Sequence, residues 1–535
     1  MAKDRLWQME TYRRTARGTL AEILGKDYLQ DDIFMRTAGY SETELQQAYD
    51  SLDTESKTVL RAYVAGINRR IAEIHQDPTQ LPFEFRAIGG QLGVEFFPAD
   101  WTVTDVMSWL VALLRNFDPE GRGVTGQLDN AVLLQTFAQV YPNDYLAMFS
   151  DLRWRNDPAA LTYIHDEKEE ASNPIPKVTA SSMPDLRAAA TRIKSRHDRR
   201  IVDLKRINAF TKMGSYAWVV SGEKTASGRP TIYSGPQMGF SVPSIVMEGS
   251  IRGAGLNISG MTVPGVPGII IGRTPHHAWS MQVGHAHTLD FYLEAPQSVK
   301  LNRMETFHVA GGADVTVPIF RTSHGPVIEP IPYDPSNPPA VIVSFKYSEW
   351  GYELKDVIQF ALQAARATDM KEFGKALDLA PLSQHFCYAD KDGNIAYWMS
   401  GRDPVRPANV DVRFPLPGDG TAEWDPKVAK PHPHDENTPY NYYGGWNNKA
   451  EASYDNPPNN LWYTMGVFHR AHVVDDYLST HDNLTYEQVR DLALNIATTD
   501  SFYGGGNPWK FVASRFESAV AANPSDERNA AIALL

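Results

Sequence analysis

The chain is nearly without cysteine: Cys387 is the one thiol in 535 residues. No intramolecular disulfide can form. Large secreted proteins can do without one, so the redox compartment stays open. No apolar run reaches the roughly 18 residues of a membrane-spanning helix. No signal-peptide pattern opens the chain. It starts almost at once on a helical pattern and stops on the apolar run NAAIALL without a cap, so both ends read as cut. Positive charge is not in excess. With 51 basic against 64 acidic side chains the net charge is -13, which argues against non-specific nucleic-acid binding. G-x-S-x-G, G-x-x-x-x-G-K-[ST], H-E-x-x-H and G-x-G-x-x-G are all missing, and with them the sequence signs of a nucleophile elbow, a P-loop, a zincin and a dinucleotide site.

Hydrophobic residues make up 42% and aromatics 11%, enough for a large core. The region up to about residue 150 reads as helical. Leu6, Met9, Tyr12, Leu20 and Ile23 form an apolar stripe at near-helical spacing, and SETELQQAYDSLDTESKTVLRAYVAGINRRIAEI repeats the pattern behind a serine cap. DEKEEASNPIPKVTASSMP reads as a loop. DLRAAATRIKSRHDRRIVDLKRINAF follows as a basic amphipathic helix in an acidic protein. It is either a solvated face or a detachable segment lying on an acidic surface. From Ser215 onward short apolar runs separated by Gly and Pro predict strands, among them AWVV and HFCYAD. RAHVVDDYL and LTYEQVRDLALNIA return to helix. The order of helices, linker, strands and helices predicts a layered α+β architecture.

Several constellations invite chemistry. Ser221 to Lys224 spells S-x-x-K, without the K-T-G or S-D-N that accompanies it in penicillin-binding serine enzymes. His276 and His277 are adjacent, and His285 with His287 forms H-x-H, as does His432 with His434. Strand alternation would put His285 and His287 on one face, a zinc-like geometry with no evident third ligand. Ser215 follows Gly214 at the mouth of a strand with no histidine beside it. Such a serine is activated without histidine if its own α-amine is freed by cutting the Gly214–Ser215 bond, because an α-amine titrates at about 7.7–8.0 and can take the hydroxyl proton. Otherwise Ser215 merely starts a strand.

The stretch GSYAWVVSGEKTASGRPTIYSGPQMGFSVPSIVMEGSIRGAGLNISGMTVPGVPGIIIGRTPHHAWSMQ, with AKDRLWQMETYRRTARGTLAEILGKD, YADKDGNIAYWMSGRDPVR and WNNKAE, resembles the penicillin acylase (penicillin amidase) family of N-terminal-nucleophile hydrolases. The resemblance implies a four-layer αββα sandwich of two packed antiparallel sheets, with elements missing at both termini. It implies self-cleavage into an α segment (1–182) and a β segment (215–535) that stay together as a heterodimer, with a basic spacer (183–214) removed. Amide hydrolysis through an acyl-enzyme follows, acting on a small-molecule N-acyl amide with no organic cofactor. Carried over by position, Ser215 is the nucleophile and Gln237 holds the substrate amide and the nucleophile's amine. The Val283 backbone N–H and the Asn447 side chain form the oxyanion hole, and Arg470 stands near them. Met238, Ile270, Ile271, Met281 and Phe360 are the expected acyl pocket, and their Met and Ile predict an aliphatic or irregular acyl group. The family's calcium ligands correspond to Gln127, His287, Asp290 and Asn459 or Asn460. Asp290 alone is a carboxylate, with the Leu289 carbonyl beside it, so a weak or absent calcium site is expected. The stretch after Gly214 is short for the family, which reads as either a fragment or a reduced version. The family's compartment, periplasmic or secreted, is carried over with the rest. The competing reading is a non-catalytic relative that survives as a binding scaffold.

Overall fold

The computed structural model describes residues 1–116, 126–157, 159–165, 174–210, 215–427, 429–459, 469–498 and 509–534. Two residues named above, Gly214 and Asn460, lie outside them. The opening helix, Ala2–Arg17, buries Leu6, Met9 and Tyr12 on one face, as the three-to-four spacing requires. It stops at Gly18, which has φ 60° and accepts no side chain, since a Cβ there would meet the Asp32 carbonyl at 2.7 Å. Helix Glu42–Ser51 begins on a capping box of Ser41 and Glu44, in which each side chain satisfies a backbone N–H of the other. Helix Thr54–Gln76 begins on Asp53. Leu60, Ile67 and Ile71 of this helix join Val106 and Leu110 of helix Val103–Asn116 around the opening helix.

Ten strands build the two sheets that matter for the site. They are β1 (Ser215–Val220), β2 (Thr231–Pro236), β3 (Met247–Gly253), β4 (Leu256–Thr262), β5 (Ile271–Arg273), β6 (His277–Val283), β7 (Gln384–Asp390), β8 (Ile395–Met399), β9 (His434–Glu436) and β10 (Tyr442–Gly445). The small sheet runs β10-β1-β2 and the large one β9-β8-β7-β6-β5-β4-β3, antiparallel throughout. Ser215 pairs with Pro236, Ala217 with Gly445, and Val283 with Gln384.

Side-chain alternation then makes the layers. Ala217 and Val219 of β1 point between the sheets, against Cys387, Ala389, Tyr397, Met399 and Tyr443. Their neighbours Trp218 and Val220 point outward, under Val474 and Leu478 of helix His472–Thr480 and Val489 and Leu492 of helix Tyr486–Thr498. On the far side, Phe386, Tyr388 and Trp398 of the large sheet meet Phe373, Ala376 and Leu377 of helix Met370–Leu377. The result is helix, sheet, sheet, helix. A strand buried on both faces is apolar at every position, which is why β1 after its tyrosine reads AWVV rather than alternating with polar residues. Full burial of each aliphatic chain here contributes roughly 1.5–3 kcal/mol. Cys387 lies inside this core, and burial pushes its thiol up to about 12; it is inert.

The basic segment forms helix Arg187–Arg206. Leu186, Ala190 and Ile193 are buried in one cluster with Leu128, Leu134 and Phe345. Arg192 and Arg196 lie 2.5 and 3.6 Å from Glu329, a carboxylate 1% exposed. One face of the helix is solvated, and the other lies against the protein. It contributes to a core and pairs with a buried acid. Among the described residues no helix is long and apolar enough to cross a membrane.

Candidate active site

The hydrogen bonds of β1 place Ser215 at the end of the small sheet, 6% exposed, against the segment that follows β10. Asn447, the second residue after β10, holds a left-handed backbone with φ 65°. Asparagine tolerates that conformation better than other non-glycine residues. Its side chain is fixed at both ends. Nδ2 donates to the Val283 carbonyl at 2.9 Å, while Oδ1 accepts from Arg470 Nη2 at 3.0 Å and lies 3.4 Å from the Ser215 nitrogen. Gln237 directly follows Pro236, the partner of Ser215, and its Oε1 accepts from Trp446 Nε1 at 3.0 Å. All five expected catalytic residues thus gather at the joint between the two sheets. Val283 is the last residue of β6, which pairs through β7 inside the large sheet. Ser215, Gln237 and Asn447 belong to the small sheet or to the residues just after its strands, and Arg470 to the turn before helix His472–Thr480.

Three further residues make contacts that sequence reasoning did not assign to them. His285 is 1% exposed and its Nε2 lies 2.8 Å from the Asn447 carbonyl. Trp446 lies under the Arg470 guanidinium, 4.4 Å from it. Arg406 sits beside Asp290. The WNN stretch pointed at Trp446. His285 stood out only as half of H-x-H and Arg406 only as the end of YADKDGNIAYWMSGRDPVR, since their partners lie 162 and 116 residues away.

An apolar cavity of about 80 Å³ lies between helix Val103–Asn116, helix Val357–Arg366 and the large sheet. Ile270, Met281 and Phe360 line it, together with Leu114, Trp279 and Ala364. Met281 stands two residues before Val283 on β6, which ties the cavity to the serine. Met238 and Ile271 are not in its wall. Met238 is buried among the N-terminal helices with Val263 and Val266, and Ile271 starts β5.

The histidine readings resolve differently. Residues 284–288 carry no strand, so alternation does not pair His285 with His287. The first faces Asn447, and the second lies 3.0 Å from Asp290. Among the described residues no cluster of three or more His, Cys, Asp or Glu side chains could hold a metal. Ser221 caps a short turn and binds Asn441 at 3.0 Å, while Lys224 pairs with Asp482 at 2.5 Å. Lys224 is therefore not a base for Ser221.

The residues at the calcium positions bind one another. Asp290 is 0% exposed, and Oδ1 accepts from Gln127 Nε2 at 2.7 Å. Oδ2 accepts from Arg406 Nε at 2.6 Å and Trp424 Nε1 at 2.7 Å. Burial alone would raise this carboxyl, but the Arg406 charge and His287 outweigh it and hold it well below the usual carboxylate range. Asn459 donates to the Leu289 carbonyl at 2.8 Å.

The family profile described as Penicillin amidase matches residues 1–501. Penicillin G acylase of Escherichia coli is 27% identical over 94% of this chain and 62% of its own length. The acyl-homoserine lactone acylase QuiP of Pseudomonas aeruginosa is 24% identical over 99% of this chain and 61% of its own. The chain thus spans about three-fifths of the length of these relatives. A solved structure, thermostable penicillin G acylase from Alcaligenes faecalis in orthorhombic form, superposes with TM-score 0.52 at 27% identity, covering 60% of this chain and 58% of that one.

Proposed function

Because the chain belongs to the penicillin amidase family, we propose that it is an acylase hydrolysing N-acyl amides from an N-terminal Ser215 freed by cleavage after Gly214. The segments would be 1–182 and 215–535, with 183–214 removed between them, and the two would remain together. The observation that carries this reading is the Ser215 nitrogen 3.4 Å from Asn447 Oδ1, on a side chain that Val283 and Arg470 hold in place. In the continuous chain that nitrogen is a peptide N–H. After cleavage it is an amine of pKa about 7.7–8.0, a base at neutral pH.

The steps follow from this placement. The Ser215 amine takes the Oγ proton as Oγ attacks the substrate's acyl carbon. Asn447 Nδ2 and the Val283 N–H donate to the oxygen that gains negative charge. The proton then passes to the leaving nitrogen, the C–N bond breaks, and the amine departs. Water, deprotonated by the same amine, attacks the ester and releases the acid. Arg470 binds Asn447 Oδ1 and so keeps Nδ2 turned toward the acyl oxygen. The apolar cavity would receive the acyl group. Relatives named for penicillin G and for acyl-homoserine lactones support N-acyl amides as the substrate class. The calcium positions support no metal in the mechanism, and the compartment of the family, periplasmic or secreted, is part of the same proposal.

N-terminal sequencing and intact mass of active purified protein test the reading. The expected result is a chain that begins Ser-Tyr-Ala-Trp, and a Ser215→Ala variant that stays uncut and inactive while folded. Active material with the 214–215 linkage intact overturns it. Wild-type protein that is both uncut and inactive supports the scaffold instead.

A further inference from the structure

The geometry points to Arg406 as a covalently attached cation that does the structural work of a bound divalent ion, so that this part of the fold is independent of calcium. Asp290 is fully buried, and a buried carboxylate needs a compensating charge and a full set of donors. Arg406, its side chain 5% exposed, supplies the charge. The guanidinium also ties the 287–290 stretch to its own, 403–406. Nε reaches Asp290 at 2.6 Å, Nη2 the His287 carbonyl at 2.5 Å, and Nη1 both Asp403 at 2.8 Å and the Pro404 carbonyl at 3.0 Å. Linking oxygens from distant segments at one point is what a structural calcium ion does.

The remaining oxygens at these positions are already engaged by donors of the chain. Calcium takes about six to eight oxygen ligands. The Leu289 carbonyl accepts from Asn459, and the Asn459 oxygen accepts from the Gln127 backbone at 3.0 Å. The Gln127 side-chain oxygen accepts from the Phe291 backbone at 2.8 Å. Toward Asp290, Gln127 turns its nitrogen rather than its oxygen. An entering ion would meet N–H groups and a guanidinium, both of which repel it. Amides at 127 and 459 fit this arrangement, since carboxylates there would add uncompensated charge beside Asp290.

Metal analysis and melting of the full-length protein test this without reference to catalysis. Wild type purified with calcium present should retain less than one ion per chain, and its Tm should be the same in excess CaCl2 and excess EGTA. Arg406→Gln, which keeps some donors and loses the charge, should lower Tm by roughly 3–5 °C. Arg406→Ala combined with Gln127→Glu, His287→Asp and Asn459→Asp should acquire a Tm that rises with calcium. One tightly held calcium per wild-type chain, a wild-type Tm that falls in EGTA, or an unchanged Tm in Arg406→Gln overturns the inference. If the variants do not fold, the two wild-type measurements still decide it.

Discussion

Asn447 is the residue on which the proposed chemistry turns. Its backbone conformation, its carbonyl contact with His285 and its side-chain contacts with Val283 and Arg470 leave Nδ2 one direction to point. Removing one oxyanion donor costs about 10²–10³ in rate. Asn447→Ala is therefore expected to lower kcat by about that factor while KM changes little, measured on matured protein. His285→Leu removes only the support behind the carbonyl and should give a smaller loss in kcat. A variant of Asn447 with wild-type kcat would remove this residue from the mechanism. The sequence carried Asn447 through the WNN stretch. It offered His285 only as half of an H-x-H pair and Arg406 only inside a quoted stretch, because each acts on a partner more than a hundred residues away and no spacing rule reaches that far.

At the scale of elements, the proposed acyl preference follows from the walls of the cavity. The cavity is closed by two helices, Val103–Asn116 and Val357–Arg366, over β6, with Leu, Ile and Met in the wall and Phe360 and Trp279 as its aromatics. A flexible, mainly aliphatic wall favours an unbranched chain over a rigid ring. Hexanoyl and octanoyl amides are expected to be cleaved with higher kcat/KM than phenylacetyl amides. Ala364→Phe should fill the space and shift preference to shorter chains. A strong phenylacetyl preference in the unaltered protein would reject this. The strands behind the site were legible as runs such as AWVV and HFCYAD, which are apolar on both faces because each lies between a sheet and a helical layer. The pocket was only partly legible. Met238 and Ile271 occupy the right stretches of sequence, but which side of a turn faces a cavity depends on packing that no single stretch records.

At the scale of the molecule, buried histidines tie stability to pH. Burial lowers His277 from the usual 6.5 to about 4, and it places His385 and His469 well below their ordinary value. A group whose folded pKa is depressed supports the fold above its unfolded pKa and loses that support as pH falls toward its folded one. For His277 the window is about 6.5 down to 4. Aspartates 31 and 32, raised by burial to about 6 and 7, act in the opposite sense across their own range, so a difference measurement is required. Wild-type Tm minus Tm of His277→Gln should shrink between pH 7 and pH 5. A difference constant with pH would show that His277 titrates alike in the folded and unfolded states.

β2 pairs with β1 from Ser215 to Val220, and β10 joins on the other side from Ala217 onward. A bond broken at its mouth would yield an end already clamped in register. The newborn terminus has nowhere to wander, so scission and readiness for work would be a single event, with no search for position between them.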